Sequence, residues 1–267
     1  MSEVKHVPAK SFLVKTGLGS DFACNPYVGC THACSYCYAR FMGDHAHRPE
    51  PWGSYVEIKD YPNYDIPRNT GEKSVMFSSV TDPYQPIEKT AKRTRAILEE
   101  ICESRLHVSF LTKSALILRD LDLFSAMANV TVGFSIALDD VSASVLEPGA
   151  SLPSERIRAL QSLHQAGIRT FVFIAPILPG ITDVFTILDA VDEHSDFVMF
   201  DRLSLKHPEN KANIFRYVAN RKPELLGLYR NVFEEKDPTF YDSLAQRIRD
   251  RAKERGRDYR LFIGKGE

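Results

Sequence analysis

Asn25-Pro26-Tyr27-Val28-Gly29-Cys30-Thr31-His32-Ala33-Cys34-Ser35-Tyr36-Cys37-Tyr38-Ala39-Arg40 is the stretch that decides how this chain reads. Three of the chain's five cysteines, Cys30, Cys34 and Cys37, fall within it at C-x3-C-x2-C spacing. Cys24 lies just upstream and Cys102 is remote. Thiols this close on one loop can converge on a soft metal centre, and an odd count argues against a disulfide framework. Two chemistries compete. One is zinc, with His32, His45 or His47 as fourth ligand. The other is a [4Fe–4S] cluster held by three cysteines, with the fourth iron open to a small molecule. Structural zinc commonly uses two separated C-x2-C pairs, and no second pair occurs here. The spacing favours iron–sulfur and leaves a zinc-binding structural or interaction module as the alternative.

With Tyr36 in the aromatic position, the segment resembles the cluster loop of the radical S-adenosylmethionine (SAM) superfamily, C-x3-C-x-aromatic-C. The wider string NPYVGCTHACSYCYAR resembles the branch that contains spore photoproduct lyase. The resemblance implies a fold, an α/β partial (β/α)6 TIM-like barrel, and two cofactors, a [4Fe–4S] cluster and S-adenosylmethionine. It implies that the open iron chelates the amino and carboxylate groups of SAM. Reductive cleavage of the sulfonium then yields a 5′-deoxyadenosyl radical that takes hydrogen from a substrate. An electron donor such as ferredoxin or flavodoxin is the implied partner. DNA or RNA is the substrate class the branch suggests, with a small molecule or peptide as the alternative.

Periodicity supports that fold independently. Apolar runs at residues 75–80, 108–112, 130–138, 170–175 and 197–205, with a short one at 21–23, read as strands buried on both faces. Helical spacing occupies 87–104, 116–127, 154–166 and 182–194, with Ser154 and Thr182 as expected openers and Gly167 as a stop. Cys102 shares a helix face with Leu98 and Ile101, which suits a core thiol. No G-x-G-x-x-G supports a doubly wound sheet. The expected organisation is an N-terminal segment (1–20), a barrel (21–205) with a loop insertion (43–71), and a short α-rich C-terminal extension (206–267). The insertion holds four prolines and the only tryptophan, Trp52, and reads as irregular.

Catalytic groups gather where barrel strands end. After the second strand comes Ser78-Ser79-Val80-Thr81-Asp82-Pro83-Tyr84, which resembles the Ser/Thr-Asp motif of the lyase branch. Ser79, Thr81 and Asp82 are therefore candidate SAM contacts, although Asp82-Pro83 is also a good helix entry. By the same resemblance Lys113, after the third strand, is a candidate for the SAM carboxylate. Ser135, in the fourth, is a candidate for the ribose, and Pro179, after the fifth, for the adenine. Asp201 and Arg202, in the sixth, face the site or pair with each other. Spore photoproduct lyase keeps a cysteine three residues before its Asp as a hydrogen donor. Ser79 stands there in this chain, and a serine O–H bond is too strong for that role. Cys24 is then the candidate thiol, with Tyr84 and Tyr38 as alternative hydrogen relays.

Composition excludes other classes. Lys+Arg 34 against Asp+Glu 35 rules out a globally basic coat protein and an acidic tail protein. No apolar run has the length of a membrane span, and the polar first ten residues lack a secretory core, so the cytoplasm is the expected compartment. Locally, residues 211–267 carry 14 Lys+Arg against nine Asp+Glu. Their arginine-dense helix reads as a solvated face or as a surface for a polyanion.

Overall fold

The computed structural model describes residues 3–63, 66 and 71–263. In chain order the strands are β1 (Glu3–Pro8), β2 (Val14–Lys15), β3 (Phe22–Cys24), β4 (Tyr27–Val28), β5 (Tyr55–Asp60), β6 (Ser74–Phe77), β7 (His107–Thr112), β8 (Val130–Ser135), β9 (Arg169–Ile177), β10 (Phe197–Arg202) and β11 (Tyr259–Leu261). The helices are α1 (Glu88–Ala91), α2 (Arg93–Ile101), α3 (Leu121–Ala126), α4 (Asp140–Leu146), α5 (Pro153–Gln165), α6 (Val184–Val191), α7 (Pro208–Arg221), α8 (Leu226–Phe233) and α9 (Thr239–Arg255).

Eight strands form one sheet in the order β2-β3-β6-β7-β8-β9-β10-β11, parallel except where β2 pairs antiparallel with β3. The six expected strands are its centre, in sequence order, with helices between them. This is the open α/β barrel that the apolar runs predict. Val75, Phe77, Val108, Phe110, Val132, Phe134, Val172, Ile174, Val198 and Phe200 are at most 2% exposed. Each such side chain contributes roughly 1.5–3 kcal/mol of burial. Phe110 stacks on Phe77 with centroids 4.4 Å apart and tilts against Phe124 at 5.3 Å.

The structure corrects several local expectations. The helix over 87–104 breaks at Lys92, which is left-handed (φ 49°). The buried Glu88 carboxylate makes the break tolerable by accepting N–H bonds from Thr94 (2.9 Å) and Arg95 (3.2 Å) at the exposed start of α2. The helix over 116–127 begins as a 3-10 stretch, Ala115–Asp120, before α3. Pro153, not Ser154, opens α5, and Asp183, not Thr182, caps α6 by accepting from Thr186 N. The strand over 130–138 ends at Ser135, and the chain turns into α4, capped by Asp139.

The insertion is not irregular throughout. It supplies β5, which pairs parallel with β1 and antiparallel with β4 in a second, three-stranded sheet. The C-terminal extension adds more than helices, because β11 extends the main sheet beside β10. The arginines of α9 are largely engaged. Arg251 and Arg255 pair with Asp189 (2.5 and 2.7 Å), and Arg255 also with Asp192 (3.0 Å). Arg247 lies 4.5 Å over the Phe185 ring. This face clamps the helix to α6 instead of presenting a bare cationic surface.

Candidate active site

The cysteine loop leaves β3 at the carboxyl end of the sheet and is fixed by groups from distant segments. Asn25 accepts N–H bonds from Ser79 (3.0 Å) and Val80 (3.4 Å) and donates to Ser79 Oγ (3.2 Å), tying the ends of β3 and β6 together. Gly29 sits at φ 83°, and a Cβ there would stand 2.6 Å from the Tyr55 carbonyl, so only glycine admits the turn into Cys30. The fully buried Gln85 accepts from Thr31 N (2.8 Å) and donates to the Gly29 carbonyl (3.1 Å) and Thr81 Oγ1 (3.0 Å). Behind the loop, Gly149 approaches so closely that a Cβ would lie 2.0 Å from the Thr31 carbonyl. Its N–H donates to the His32 carbonyl at 3.1 Å, while Ser35 N donates to the Leu146 carbonyl at 2.9 Å.

The loop forms one wall of a cleft lined by Cys30, His32, Cys34, Cys37, Tyr38, Ala39, Trp52, Ser78–Asp82, Leu111–Lys113 and Ser135. The structure thus brings together Cys30, Cys34, Cys37, Ser79, Thr81, Asp82, Lys113 and Ser135. It leaves out four others, of which Tyr36, a candidate cofactor contact by its place in the motif, is buried beneath the cleft. Cys24 is fully buried in β3, within the main apolar core, and burial pushes its thiol far up. Tyr84 is fully buried with its hydroxyl donating to Asp120 (3.0 Å), in a network with Arg95 and Arg119. Pro179 is buried between Leu178 and Ile181, which pack with Tyr36, Ile214 and Tyr229. Side-chain direction, invisible in the sequence, separates Cys24, Tyr84 and Pro179 from the cleft. At the sixth strand Arg202 is exposed and its N–H donates to its neighbour Asp201, so neither charge lines the cleft.

Asp82 organises the cleft floor. Its carboxylate accepts from Thr112 Oγ1 (2.7 Å), Lys113 N (2.9 Å) and Tyr84 N (2.9 Å), with His32 Nδ1 at 3.3 Å. Burial alone would raise its pKa, but His32 and these donors outweigh it and hold the carboxyl down at about 2. Lys113 Nζ donates to Ser135 Oγ (2.8 Å) and lies 5.8 Å over the Tyr36 ring. Tyr36 itself is buried beneath, its hydroxyl donating to Glu147. Sequence reasoning missed Gln85, Glu147 and Arg156. Each is a polar side chain with no local motif, revealed only by its burial.

The donor set suits an iron–sulfur cluster. Among the described residues no group of three or more His, Cys, Asp or Glu side chains could hold a single metal ion. Three thiols at C-x3-C-x2-C spacing on one loop are the set that would hold such a cluster. Burial pushes all three thiols up, and Asp82 and the neighbouring thiols add to the effect at Cys30. A bound metal cation would offset that burial and hold them as thiolates. Two buried polar atoms on the cleft wall, Ser78 Oγ and Trp52 Nε1, have no partner among the described residues, which suits a polar ligand.

Fold and cleft together define an open α/β barrel with a cleft at the carboxyl ends of its parallel strands, where barrel enzymes carry their sites. The family model of the radical SAM superfamily matches residues 24–188. An uncharacterized protein of Methanocaldococcus jannaschii is 37% identical over 206 residues, covering 76% of this chain and 79% of that protein. The radical SAM Nalpha-GlyT isomerase of Pseudomonas phage M6 is 25% identical over 259 residues, 90% of this chain and 51% of that protein. Spore photoproduct lyase complexed with dinucleoside spore photoproduct superposes with a TM-score of 0.59 at 17% identity, over 83% of this chain and 66% of that one, a likeness of fold. The chain belongs to the radical SAM superfamily, whose members use a [4Fe–4S] cluster and S-adenosylmethionine for radical chemistry. The zinc-module alternative gives way to an enzyme. Among the described residues no helix is long and apolar enough to cross a membrane.

Proposed function

We propose that Cys30, Cys34 and Cys37 hold a [4Fe–4S] cluster in the cleft and that S-adenosylmethionine binds beside it, its carboxylate on Lys113. When bound, these groups supply reductive cleavage of a sulfonium carbon–sulfur bond and hydrogen abstraction from an unactivated carbon. The observation that carries this reading is that three thiols, a lysine ammonium, the Ser135 hydroxyl and the Asp82 carboxylate line one cleft. Lys113 supplies a positive charge held by Ser135, and Asp82 fixes the Lys113 backbone. Ser79 and Thr81 line the wall, and Trp52 shields the mouth from water. An external low-potential donor such as ferredoxin or flavodoxin delivers the electron.

The substrate we propose is a nucleic acid. The fold neighbour carries a dinucleoside photoproduct. The cleft wall carries Tyr38, 58% exposed, whereas the nearby Phe41 ring is already stacked on His207 (3.8 Å) and Arg40 is paired with Glu209. An exposed aromatic face such as that of Tyr38 is what an unpaired base stacks on. The engagement of the α9 arginines favours a second reading, a small-molecule or peptide substrate. Among the described residues no thiol besides the three loop cysteines lines the cleft, so the reaction proposed returns no hydrogen from a protein cysteine.

The test is anaerobic reconstitution. About four irons and four sulfides per chain, with methionine and 5′-deoxyadenosine released under a strong reductant, are the expected result. Protein that takes up iron yet never releases them refutes the reading. For the substrate, Tyr38→Ala is expected to weaken binding of a labelled single-stranded oligonucleotide about tenfold. No oligonucleotide binding by a SAM-cleaving protein selects the second reading.

A further inference from the structure

Beneath the cleft lies a buried ion pair that the chemistry above does not use. Glu147 and Arg156 are both fully buried and joined side chain to side chain. Arg156 also donates to the Ser135 carbonyl (2.8 Å) and the Ser151 carbonyl (2.8 Å). Glu147 accepts the Tyr36 hydroxyl on one oxygen, and that same oxygen stands 4.0 Å from Lys113 Nζ. Ser151 N in turn donates to the Lys113 carbonyl at 3.0 Å. Lys113 and Ser135, both on the cleft wall, are thus each held by this pair, and Tyr36 is pinned beneath the ammonium.

A buried ion pair is a poor way to stabilise a fold, because apolar residues of similar size commonly do as well. Its position here, linking the cysteine loop to Lys113 on the cleft wall, points to a different use. We propose that Glu147 is a positioning residue: through Tyr36 and Lys113 it fixes the ammonium that grips the carboxylate end of S-adenosylmethionine. The inference rests on the cofactor reading above. Glu147 also offsets the Arg156 charge, so that the cleft presents one directed cation instead of two competing ones.

The sign of the effect separates positioning from bare electrostatics. Removing a negative charge from beside an anion site should by itself tighten anion binding. Loss of positioning weakens it. Titration calorimetry on the anaerobically reconstituted holoenzyme compares SAM with 5′-methylthioadenosine, which lacks the amino acid portion. In Glu147→Gln the SAM Kd is expected to rise about tenfold while that of methylthioadenosine stays put. Tighter or unchanged SAM binding overturns the proposal, as does an equal loss for both ligands, which marks a general collapse of the cleft. If Arg156 left unpaired prevents folding, Tyr36→Phe removes only one hydroxyl from Glu147. It is expected to lower SAM affinity selectively and by less, and no selective change there overturns the proposal. Lys113→Ala tells the two layers apart. If it leaves SAM binding intact, the cofactor reading itself fails and the proposal with it. If it weakens SAM binding but Glu147→Gln does not, only the positioning role falls.

Discussion

Replacing Asp82 by Asn keeps the shape of the side chain and removes its charge. Oδ1 accepts from Thr112 Oγ1 and Tyr84 N, and Oδ2 from Lys113 N with His32 Nδ1 nearby. An amide has one oxygen, so whichever way it turns, its NH2 faces a donor that cannot accept. One charge-assisted bond is lost and one buried N–H is left unpaired, together about 3 kcal/mol of stability near neutral pH. The pH dependence gives a second handle. Asp82 titrates at about 2 in the folded chain against 3.8 for an ordinary aspartate. A depressed folded pKa gives stability that is complete above the unfolded value and is lost as pH falls toward the folded one. The difference amounts to about 2 kcal/mol, shed between about pH 4 and about pH 2. Urea unfolding of wild type and Asp82→Asn, followed by circular dichroism across that range, measures both. The gap should be widest near neutrality and narrow by about 2 kcal/mol on acidification. A variant as stable as wild type at neutral pH, or a gap that does not shrink, would refute the account of Asp82 as the ionised keystone of the floor.

Gly149→Ala forces a methyl to within 2.0 Å of the Thr31 carbonyl and 2.9 Å of His32 Cα, so the cysteine loop must move. Iron and sulfide per chain after reconstitution should fall sharply, while far-UV circular dichroism is retained; full loading would contradict the clamp. Cys24→Ala should cost only about 1 kcal/mol and leave iron content unchanged, whereas Cys34→Ala should abolish loading. Loss of iron in Cys24→Ala would put that thiol back in the site. The double change Arg251→Ala and Arg255→Ala should lower the melting temperature without altering oligonucleotide affinity, because these guanidiniums are bound to Asp189 and Asp192. Weakened oligonucleotide binding at unchanged stability would return the basic helix to the substrate surface.

The barrel strands were legible because strands covered on both faces must be apolar throughout, as Thr170–Ile177 is with only Phe173 and Pro176 partly open. The short strands were not. β11 is three residues of mixed polarity and no residue of it is buried, so pairing with β10 alone makes it a strand. β5 lies among prolines, and its partners are β1, some fifty residues away, and β4. The cysteine spacing pointed to the cleft that these thiols line, because thiol chemistry is tied to residue type. Cys24, Tyr84 and Pro179 are not on the cleft lining, because position along the chain near a strand end does not tell which way a side chain points. Glu147 joins Tyr36, 111 positions earlier, and Arg156, nine later, and no local pattern announces such a trio.

The start of α7 rests on the cysteine loop at three points: His207 under Phe41, Glu209 on Arg40, and Asn210, 1% exposed, donating to the Cys37 carbonyl at 3.2 Å. Asn210 follows Cys37 by 173 residues. During synthesis the thiols therefore leave the ribosome long before the helix that braces them, and domains form from the amino end onward as the chain emerges. A cluster held by these thiols would meet a half-built cradle until Asn210 has been made and has folded back onto the Cys37 carbonyl.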